Sequence, residues 1–219
     1  MEKIVKIWEK YDFVFLQGLW GTVWMAAVTV LAGALLGMLV ALMHRSRVKI
    51  LNAAAGLFVG VIRGTPTLLQ LYFFWLILPK IMPFELSDTA CVVTALVINS
   101  AAYISEIIRA GIGAVDKGQT EAAESLGLSR RHIMRRVILP QAVKNILPAL
   151  GNQFILMVKE TSLASILFVG ELMTSYKTVQ SATFLSLEPL IIAGIIYLIL
   201  TFVLSKLVNL FERRLTISD

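Results

Sequence analysis

Polar and charged side chains lie inside apolar runs that are long enough to cross a membrane, and these residues are the first candidates for a functional site. The densest group is four consecutive residues, Lys159, Glu160, Thr161 and Ser162. A charge at the bilayer centre costs about 2.5–3.5 kcal/mol on insertion scales, so it normally faces protein or water and has a role. The carboxylate, ammonium and hydroxyl groups of this run could therefore bind a polar or charged solute.

The depth of these side chains in a membrane can be estimated from the rise of about 1.5 Å per helical residue. The side chains predicted to contact a solute near mid-depth are Gln70, Asn99, Glu160, Thr161 and Ser162. Those predicted to form a gate or an ion-pair lattice are Arg63, Glu106, Arg109 and Lys159. Within the second group, Glu106 and Arg109 are three residues apart and can pair on one helix face. For both groups, polar contact between helices without any solute is the alternative.

The apolar runs that must position these residues predict an all-α membrane protein. A bilayer core about 30 Å thick needs about 20 apolar helical residues. Five runs meet this requirement, at residues 13–43, 54–78, 90–112, 146–169 and 187–210. Residues 1–12 predict an amphipathic segment at the membrane interface, and residues 171–185 predict a polar linker. We therefore expect an interfacial segment, residues 1–12, followed by a transmembrane domain, residues 13–219.

An irregular segment interrupts the second predicted span. It consists of Arg63, Gly64, Thr65 and Pro66. Glycine and proline weaken a helix, and irregular backbone at membrane depth is tolerated only against protein or a water-filled cavity. Gln70 lies one helical turn beyond Pro66 and continues the polar face.

A polar stretch at residues 117–140 separates the third and fourth spans and predicts two short helices that bind something in water. Thr120 is predicted to cap the first helix and Ser129 the second, because both hydroxyl groups can accept backbone N–H bonds. Gly127 is predicted to end the first helix in a left-handed conformation. Pro140 marks the next boundary.

This stretch resembles the EAA loop of bacterial ABC importer permeases. The matching residues are Glu121, Ala122, Ala123, Gly127, Leu139 and Pro140, with Val137 where the family prefers isoleucine. The segments 63–66 and 159–163 are similar to the subfamily that moves polar amino acids such as histidine, glutamine and arginine. The resemblance covers nearly the whole chain and implies the type I ABC importer permease fold, with about five transmembrane helices.

The resemblance also implies partners. A separate cytoplasmic ABC ATPase dimer would receive the EAA helices and carry ATP and magnesium, and this chain itself would bind no cofactor. A second permease subunit, identical or paralogous, would share the pathway, and an extracytoplasmic binding protein would deliver the solute. The solute is expected to be a polar amino acid, and Glu160 favours a basic one.

Composition excludes several other classes of protein. The chain is 58% hydrophobic and 16% charged, with a mean hydropathy of +0.80, which fits an integral membrane protein better than a soluble one. The net charge of +6 comes from residues at the ends of apolar runs, so no nucleic acid is expected. One cysteine, Cys91, and two separated histidines predict neither a disulfide nor a metal site. The chain has no GxxxxGK[ST] phosphate loop and no catalytic constellation, so it is not expected to be an enzyme by itself. No cleavable signal peptide is expected.

The distribution of positive charge predicts the topology. Placing the 44–49 turn, the EAA loop and the C-terminal end inside puts eleven lysines and arginines on the inner side. Five then lie outside, of which three are Lys3, Lys6 and Lys10. The positive-inside rule therefore predicts an inner (cytoplasmic) membrane protein with its N-terminus outside and its C-terminus inside.

Two other classes of function remain open at this point. An ion-coupled secondary amino acid transporter could use Glu106 or Glu160 as a relay, but it predicts inverted repeats, of which five spans and one large loop give no sign. A non-transporting membrane assembly protein would not need polar residues at matching depth in three spans. The amino acid carried, and whether the second permease is identical, are not determined by the residues.

Overall fold

The computed structural model describes residues 2–216, and every regular element in that range is helical. Met1, the first residue of the predicted interfacial segment, and residues 217–219, the last three of the predicted transmembrane domain, lie outside the described residues. The α-helices are α1 (Glu2–His44), α2 (Lys49–Arg63), α3 (Thr67–Ile81), α4 (Asp88–Gly113), α5 (Lys117–Ser125), α6 (Arg130–Ile133), α7 (Leu139–Glu160), α8 (Leu172–Thr183) and α9 (Leu187–Thr216). A π-helical turn, Met134–Ile138, joins α6 to α7, and a 3₁₀-helix, Thr161–Leu167, follows α7.

Helix α1 is one continuous helix of 43 residues, so the predicted interfacial segment does not end in a break at Asp12. Ile7 and Phe15 are both buried in a cluster with Leu172 and Val179 of α8 and with Ile192 and Ala193 of α9. The first twelve residues therefore pack against the body of the protein on one face, while Lys6 and Glu2 form an exposed ion pair at 2.6 Å. Their position at a membrane interface stays a prediction.

Small residues bring α1 and α4 close together. A Cβ atom at Gly33 would meet the Ser100 Cβ at 2.9 Å, and one at Gly37 would meet the Ala101 carbonyl oxygen at 2.8 Å. The Gly33–Gly37 spacing lets the two backbones approach each other, as small residues do in membrane helix pairs.

Within residues 2–216, three helices are long and apolar enough to cross a membrane: Glu2–His44, Asp88–Gly113 and Leu187–Arg214. The pair α2 and α3 adds a fourth if it counts as one broken span. The axes of α2 and α3 differ by 108°, so the predicted second span is not a straight helix, because the backbone turns at Gly64–Pro66. Helix α7, with 22 residues, is not one of these helices, and a crossing at the fourth predicted span stays a prediction.

Two predicted segments near the C-terminal end have a different structure. The α-helix of the fourth predicted span ends at Glu160, and residues 161–167 form the tighter 3₁₀-helix instead. The predicted polar linker at residues 171–185 contains helix α8, which is capped by Glu171, whose carboxylate accepts hydrogen bonds from the Met173 and Thr174 backbone N–H groups. The linker prediction was wrong because the polar residues of this segment serve a helix cap and buried contacts.

The polar stretch at 117–140 also differs in detail from its prediction. Asp116 rather than Thr120 caps α5, accepting from the Gly118 N–H at 2.6 Å. Ser129 caps α6 as predicted, at 3.4 Å from the His132 nitrogen. Pro140 lies in the first turn of α7, directly after the π-helical turn, so the predicted boundary falls within one residue of the point where α7 begins.

Candidate solute site and coupling loop

The first predicted solute residues, Gln70 and Asn99, form a buried amide pair. The Asn99 Nδ2 donates to the Gln70 Oε1 at 2.9 Å, and the two residues are 5% and 2% exposed. The Gln70 Nε2 donates to the Ile62 carbonyl oxygen at 2.7 Å and to the Thr65 hydroxyl oxygen at 2.8 Å. The pair therefore fastens α4 to the backbone that turns between α2 and α3, and it satisfies carbonyl groups that the turn removes from helical bonding.

The predicted ion-pair residues form a three-membered cluster at the ends of α2 and α4. Glu106 accepts from the Arg109 guanidinium at 2.7 Å and from the Arg63 guanidinium at 3.3 Å. The Arg63 guanidinium also lies 5.4 Å from the centre of the Tyr103 ring, within the range of a cation–π contact. The predicted pair of Glu106 and Arg109 is present, and Arg63 joins it. Lys159, predicted with this group, forms no ion pair with it in the described residues.

The remaining predicted solute residues lie at the end of α7 and the start of the 3₁₀-helix. The Thr161 hydroxyl donates to the Val158 carbonyl oxygen at 2.8 Å, and the Ser162 hydroxyl donates to the Lys159 carbonyl oxygen at 2.6 Å. Thr161 is fully buried. The Glu160 Oε2 is buried and accepts no hydrogen bond. A buried carboxylate oxygen without a donor is unfavourable, which marks Glu160 as a residue that a ligand could satisfy.

A recess of about 470 Å³ opens between the end of α7 and α9. Its lining residues are Lys159, Ser162, Met173, Gly194, Tyr197, Leu198 and Thr201. Small-molecule pockets of this size typically have apolar walls and a few polar groups that orient the ligand. Lys159 and Ser162, which stand on either side of Glu160 and Thr161 in the chain, both reach this recess. No hydrogen bond in the described residues connects them to Gln70 or Asn99.

Sequence reasoning missed Glu171, Tyr197 and Thr201. Glu171 is fully buried, and its carboxylate accepts from the Tyr197 hydroxyl at 2.9 Å and from the Thr174 backbone N–H at 2.6 Å. Burial raises the pKa of the Glu171 carboxyl, while the hydrogen bonds from Met173, Tyr197 and Thr174 act in the opposite direction. The one available signal was the type of residue 171, since a glutamate before a short polar helix is a good cap.

The turn between α5 and α6 has the hydrogen bonds of a Schellman motif. The Leu128 N–H donates to the Ala123 carbonyl oxygen at 3.1 Å, and the Gly127 N–H donates to the Glu124 carbonyl oxygen at 2.9 Å. Gly127 has a φ of +75°, the left-handed conformation that this motif requires. The prediction for Gly127 is confirmed.

The same turn exposes apolar side chains. Leu126 is 80% exposed, whereas Ala123 is buried. Glu121 and Ala122 are exposed on α5, and Leu139 and Pro140 are exposed at the start of α7. An exposed leucine at the tip of a rigid turn, flanked by polar residues, is typical of a surface that binds another protein.

Comparison with known proteins agrees with this architecture. Residues 33–217 match the family described as the binding-protein-dependent transport system inner membrane component. The arginine transport system permease protein ArtQ of Bacillus subtilis is 40% identical over 204 residues, which cover 93% of each chain. The putative glutamine transport system permease protein GlnP of Rickettsia conorii is 35% identical over 217 residues, 99% of each chain.

Two solved structures have the same fold. A crystal structure of an amino acid ABC transporter with histidines contains a chain that is 45% identical, with a TM-score of 0.90 over 94% of this chain and 95% of that one. The inward-facing MetNI methionine ABC transporter matches with a TM-score of 0.80 over 94% of this chain and 98% of that one, at 17% identity, which shows the fold alone. The chain has the type I ABC importer permease fold predicted from its EAA loop. It belongs to the family of inner membrane components of binding-protein-dependent transport systems.

Proposed function

We propose that this chain is the permease subunit that moves a polar amino acid across the inner membrane in a binding-protein-dependent ABC importer. The observation that carries the proposal is the match over nearly the whole chain to relatives named for arginine and glutamine transport. An ABC ATPase dimer that binds ATP and magnesium supplies the energy, and a second permease subunit completes the pathway. An extracytoplasmic binding protein delivers the solute.

The solute site proposed here centres on the recess between α7 and α9. Lys159 and Ser162 line the recess and Glu160 does not; Glu160 follows Lys159 in the chain and has a buried carboxylate oxygen that lacks a donor, and we propose that the solute reaches it from this recess. An amino acid carries an ammonium for the carboxylate and a carboxylate for the lysine. Tyr197 and Thr201 line the α9 side, where their hydroxyl groups donate to Glu171 and to the Tyr197 carbonyl oxygen and can still accept a hydrogen bond.

The other predicted solute residues position the elements around this site. Thr161, Gln70 and Asn99 are buried and already hydrogen-bonded within the protein. Their hydrogen bonds hold the end of α7 and the turn between α2 and α3 in place, while the cluster of Arg63, Glu106 and Arg109 acts as the gate.

The charge of Glu160 favours a basic amino acid, because a cationic side chain gives the carboxylate a second group to bind. Glu160→Gln removes the charge and nearly keeps the shape. We expect this variant to lose uptake of the transported amino acid, and of a basic one most, by about tenfold or more, which corresponds to one charged hydrogen bond. Uptake into proteoliposomes that contain the whole complex measures this effect.

The matched control is Glu85→Gln, a carboxylate on the exposed segment between α3 and α4. It should leave uptake unchanged. Equal uptake by the Glu160→Gln variant for every amino acid, with the complex assembled, would remove Glu160 from the solute site.

A further inference from the structure

The 3₁₀-helix that follows α7, Thr161–Leu167, has seven residues. Such helices rarely exceed about four residues, and a longer one within a helical stretch often marks a hinge or a sequence under strain. Ser162 lies in its first turn and lines the recess proposed for the solute. The conformation of this segment therefore affects the position of a residue in the recess wall.

The segment ends in a turn with the hydrogen bonds of a Schellman motif. The Val169 N–H donates to the Ala164 carbonyl oxygen at 3.3 Å. The Phe168 N–H donates to the Ser165 carbonyl oxygen, also at 3.3 Å. Phe168 occupies the left-handed position of this motif, with a φ of +54°. Glycine is the usual residue there, as at Gly127, because a side chain makes this conformation unfavourable. The turn at Phe168 therefore needs stabilising contacts from elsewhere in the protein.

Lys177 of α8 supplies two such contacts. Its Nζ donates to the Ser165 carbonyl oxygen at 2.8 Å and lies 5.6 Å from the centre of the Phe168 ring, within the range of a cation–π contact. A cation near the C-terminal end of a helix also complements the partial negative charge of the last carbonyl groups. Within residues 2–216, the Lys177 ammonium forms no ion pair with a carboxylate, so its charge acts on this turn.

Helix α8 also contacts the recess. The Thr174 hydroxyl donates to the Val169 carbonyl oxygen at 2.6 Å, which is a further contact between α8 and the turn. Met173, the preceding residue, lines the recess together with Lys159 and Ser162. The position of the 3₁₀-helix relative to α8 therefore affects the shape of the recess.

We infer that Lys177 is a positioning residue for the solute recess, an inference that rests on the function proposed above. Lys177 holds the left-handed turn at Phe168, and this turn keeps residues 161–167 in the 3₁₀ conformation. Without the ammonium the turn opens, and the segment relaxes toward an α-helix, whose rise per residue is about 0.5 Å smaller. Over seven residues this shortens the segment by about 3.5 Å. Lys159 and Ser162 then lose their positions relative to α8 and α9.

The first test is solute binding to the detergent-solubilised complex in the absence of a binding protein. Equilibrium binding of radiolabelled L-arginine and L-glutamine gives the Kd of each variant. Lys177→Met keeps the apolar stem and removes the charge, and it should raise the Kd about tenfold, comparable to the loss of one hydrogen bond to a charged group. Lys177→Arg keeps a charged donor and should stay within about threefold of wild type.

The second test is the conformation of the segment itself. Hydrogen–deuterium exchange of the complex, measured by mass spectrometry, reports local opening of the backbone. In Lys177→Met, the amides of residues 163–169 should exchange about tenfold faster, while those of α4 keep their wild-type rates. If Lys177→Met is not recovered as a complex, the uncharged variant Lys177→Gln takes its place in both tests.

Lys206→Met is the matched control. Lys206 also lies next to a phenylalanine ring, 4.6 Å from the centre of Phe202, but at an exposed position of α9. This variant should change neither the Kd nor the exchange of residues 163–169.

The outcomes separate this inference from the proposed function. An unchanged Kd or unchanged exchange of residues 163–169 in Lys177→Met would overturn the positioning role and leave the proposed function in place. A Kd for Lys177→Arg as high as that of Lys177→Met would also overturn it, because the charge of residue 177 would then not be the cause. If the wild-type complex binds neither amino acid, the proposed function fails and this inference fails with it.

Discussion

Glu171 is the residue whose environment is least expected in this chain. A fully buried carboxylate is rare unless it is paired or well hydrogen-bonded, and Glu171 accepts from two backbone N–H groups and from the hydroxyl groups of Thr174 and Tyr197. Next to it, the Leu172 N–H donates to the Thr22 hydroxyl oxygen at 3.1 Å. One residue thus connects α8 to α9, and its neighbour connects α8 to α1.

The pKa of Glu171 predicts how stability depends on pH. Burial raises this pKa in the folded protein, so between the unfolded value of about 4.3 and the folded value, the folded protein holds the proton more tightly. The free energy of unfolding therefore falls as pH rises through this interval. Glu171→Gln cannot ionise and lacks this dependence, but its amide replaces an acceptor by a donor, which costs about 1–3 kcal/mol.

We therefore expect the Glu171→Gln complex to be less stable than wild type. The difference between their free energies of unfolding should narrow as pH rises through the interval between the unfolded and the folded pKa of Glu171. Thermal denaturation of the purified complex at several pH values measures this difference. Glu9→Gln, at an exposed position of α1, should show no such pH dependence. A difference that stays constant with pH would contradict the raised pKa.

At the scale of elements, the turn that joins helices α5 and α6 depends on one glycine. Gly127 has open space around the position of a Cβ atom, but its φ of +75° is unfavourable for other residues, and for a β-branched residue most of all. Gly127→Val should therefore unfold the turn that holds Leu126 outward, without disturbing the packed helices.

We expect Gly127→Val to leave the permease in the membrane but to abolish the stimulation of ATP hydrolysis by solute and binding protein. Membrane content by immunoblot and ATPase activity in proteoliposomes measure the two parts. Gly113→Val, at an exposed glycine with ordinary φ at the end of α4, is the matched control. Survival of both transport and stimulated hydrolysis in the Gly127 variant would show that this turn does not couple the subunits.

Another result at this scale is the turn between α2 and α3. Glycine and proline at residues 64 and 66 predicted irregular backbone there. The angle of 108° between α2 and α3 could not be predicted, and the hydrogen bond between Gln70 and Asn99 beside this turn joins residues that are 29 positions apart and meet where α3 and α4 pack.

At the scale of the whole molecule, the orientation in the membrane is a prediction from charge. The count of eleven positive residues against five places the coupling loop inside and α8 outside. Single cysteines at Ser125 and Ser181, both exposed, should react from opposite sides of the membrane when the buried Cys91 is replaced by alanine. Labelling of spheroplasts with a membrane-impermeant maleimide tests this: only the cysteine at residue 181 should react before lysis.

Reaction of both cysteines from the same side would contradict the predicted topology. The background variant Cys91→Ala, without an added cysteine, supplies the blank. A cysteine at Ser175 is unsuitable for this purpose, because Ser175 is 6% exposed and its hydroxyl donates to the Val14 carbonyl oxygen.

The features that depend on composition and on short spacing could be predicted from the amino-acid sequence. The apolar runs predicted the long helices, the spacing of Glu121 to Pro140 predicted the family, and Gly127 predicted a left-handed turn. These succeed because membrane insertion responds to the length of an apolar run and a positive φ is a property of one residue.

The contacts of the polar residues in the interior could not be read from the sequence, because burial and hydrogen bonding depend on which helices pack together. Glu171 was expected in a linker and is buried. Gln70, predicted to contact a solute, hydrogen-bonds to the turn between α2 and α3, and Lys159, predicted in a gate or ion pair, lines a recess; their predicted roles stay predictions. Thr22, Glu171 and Tyr197 are far apart in the chain, and only the packing of α1, α8 and α9 brings their neighbourhoods into contact.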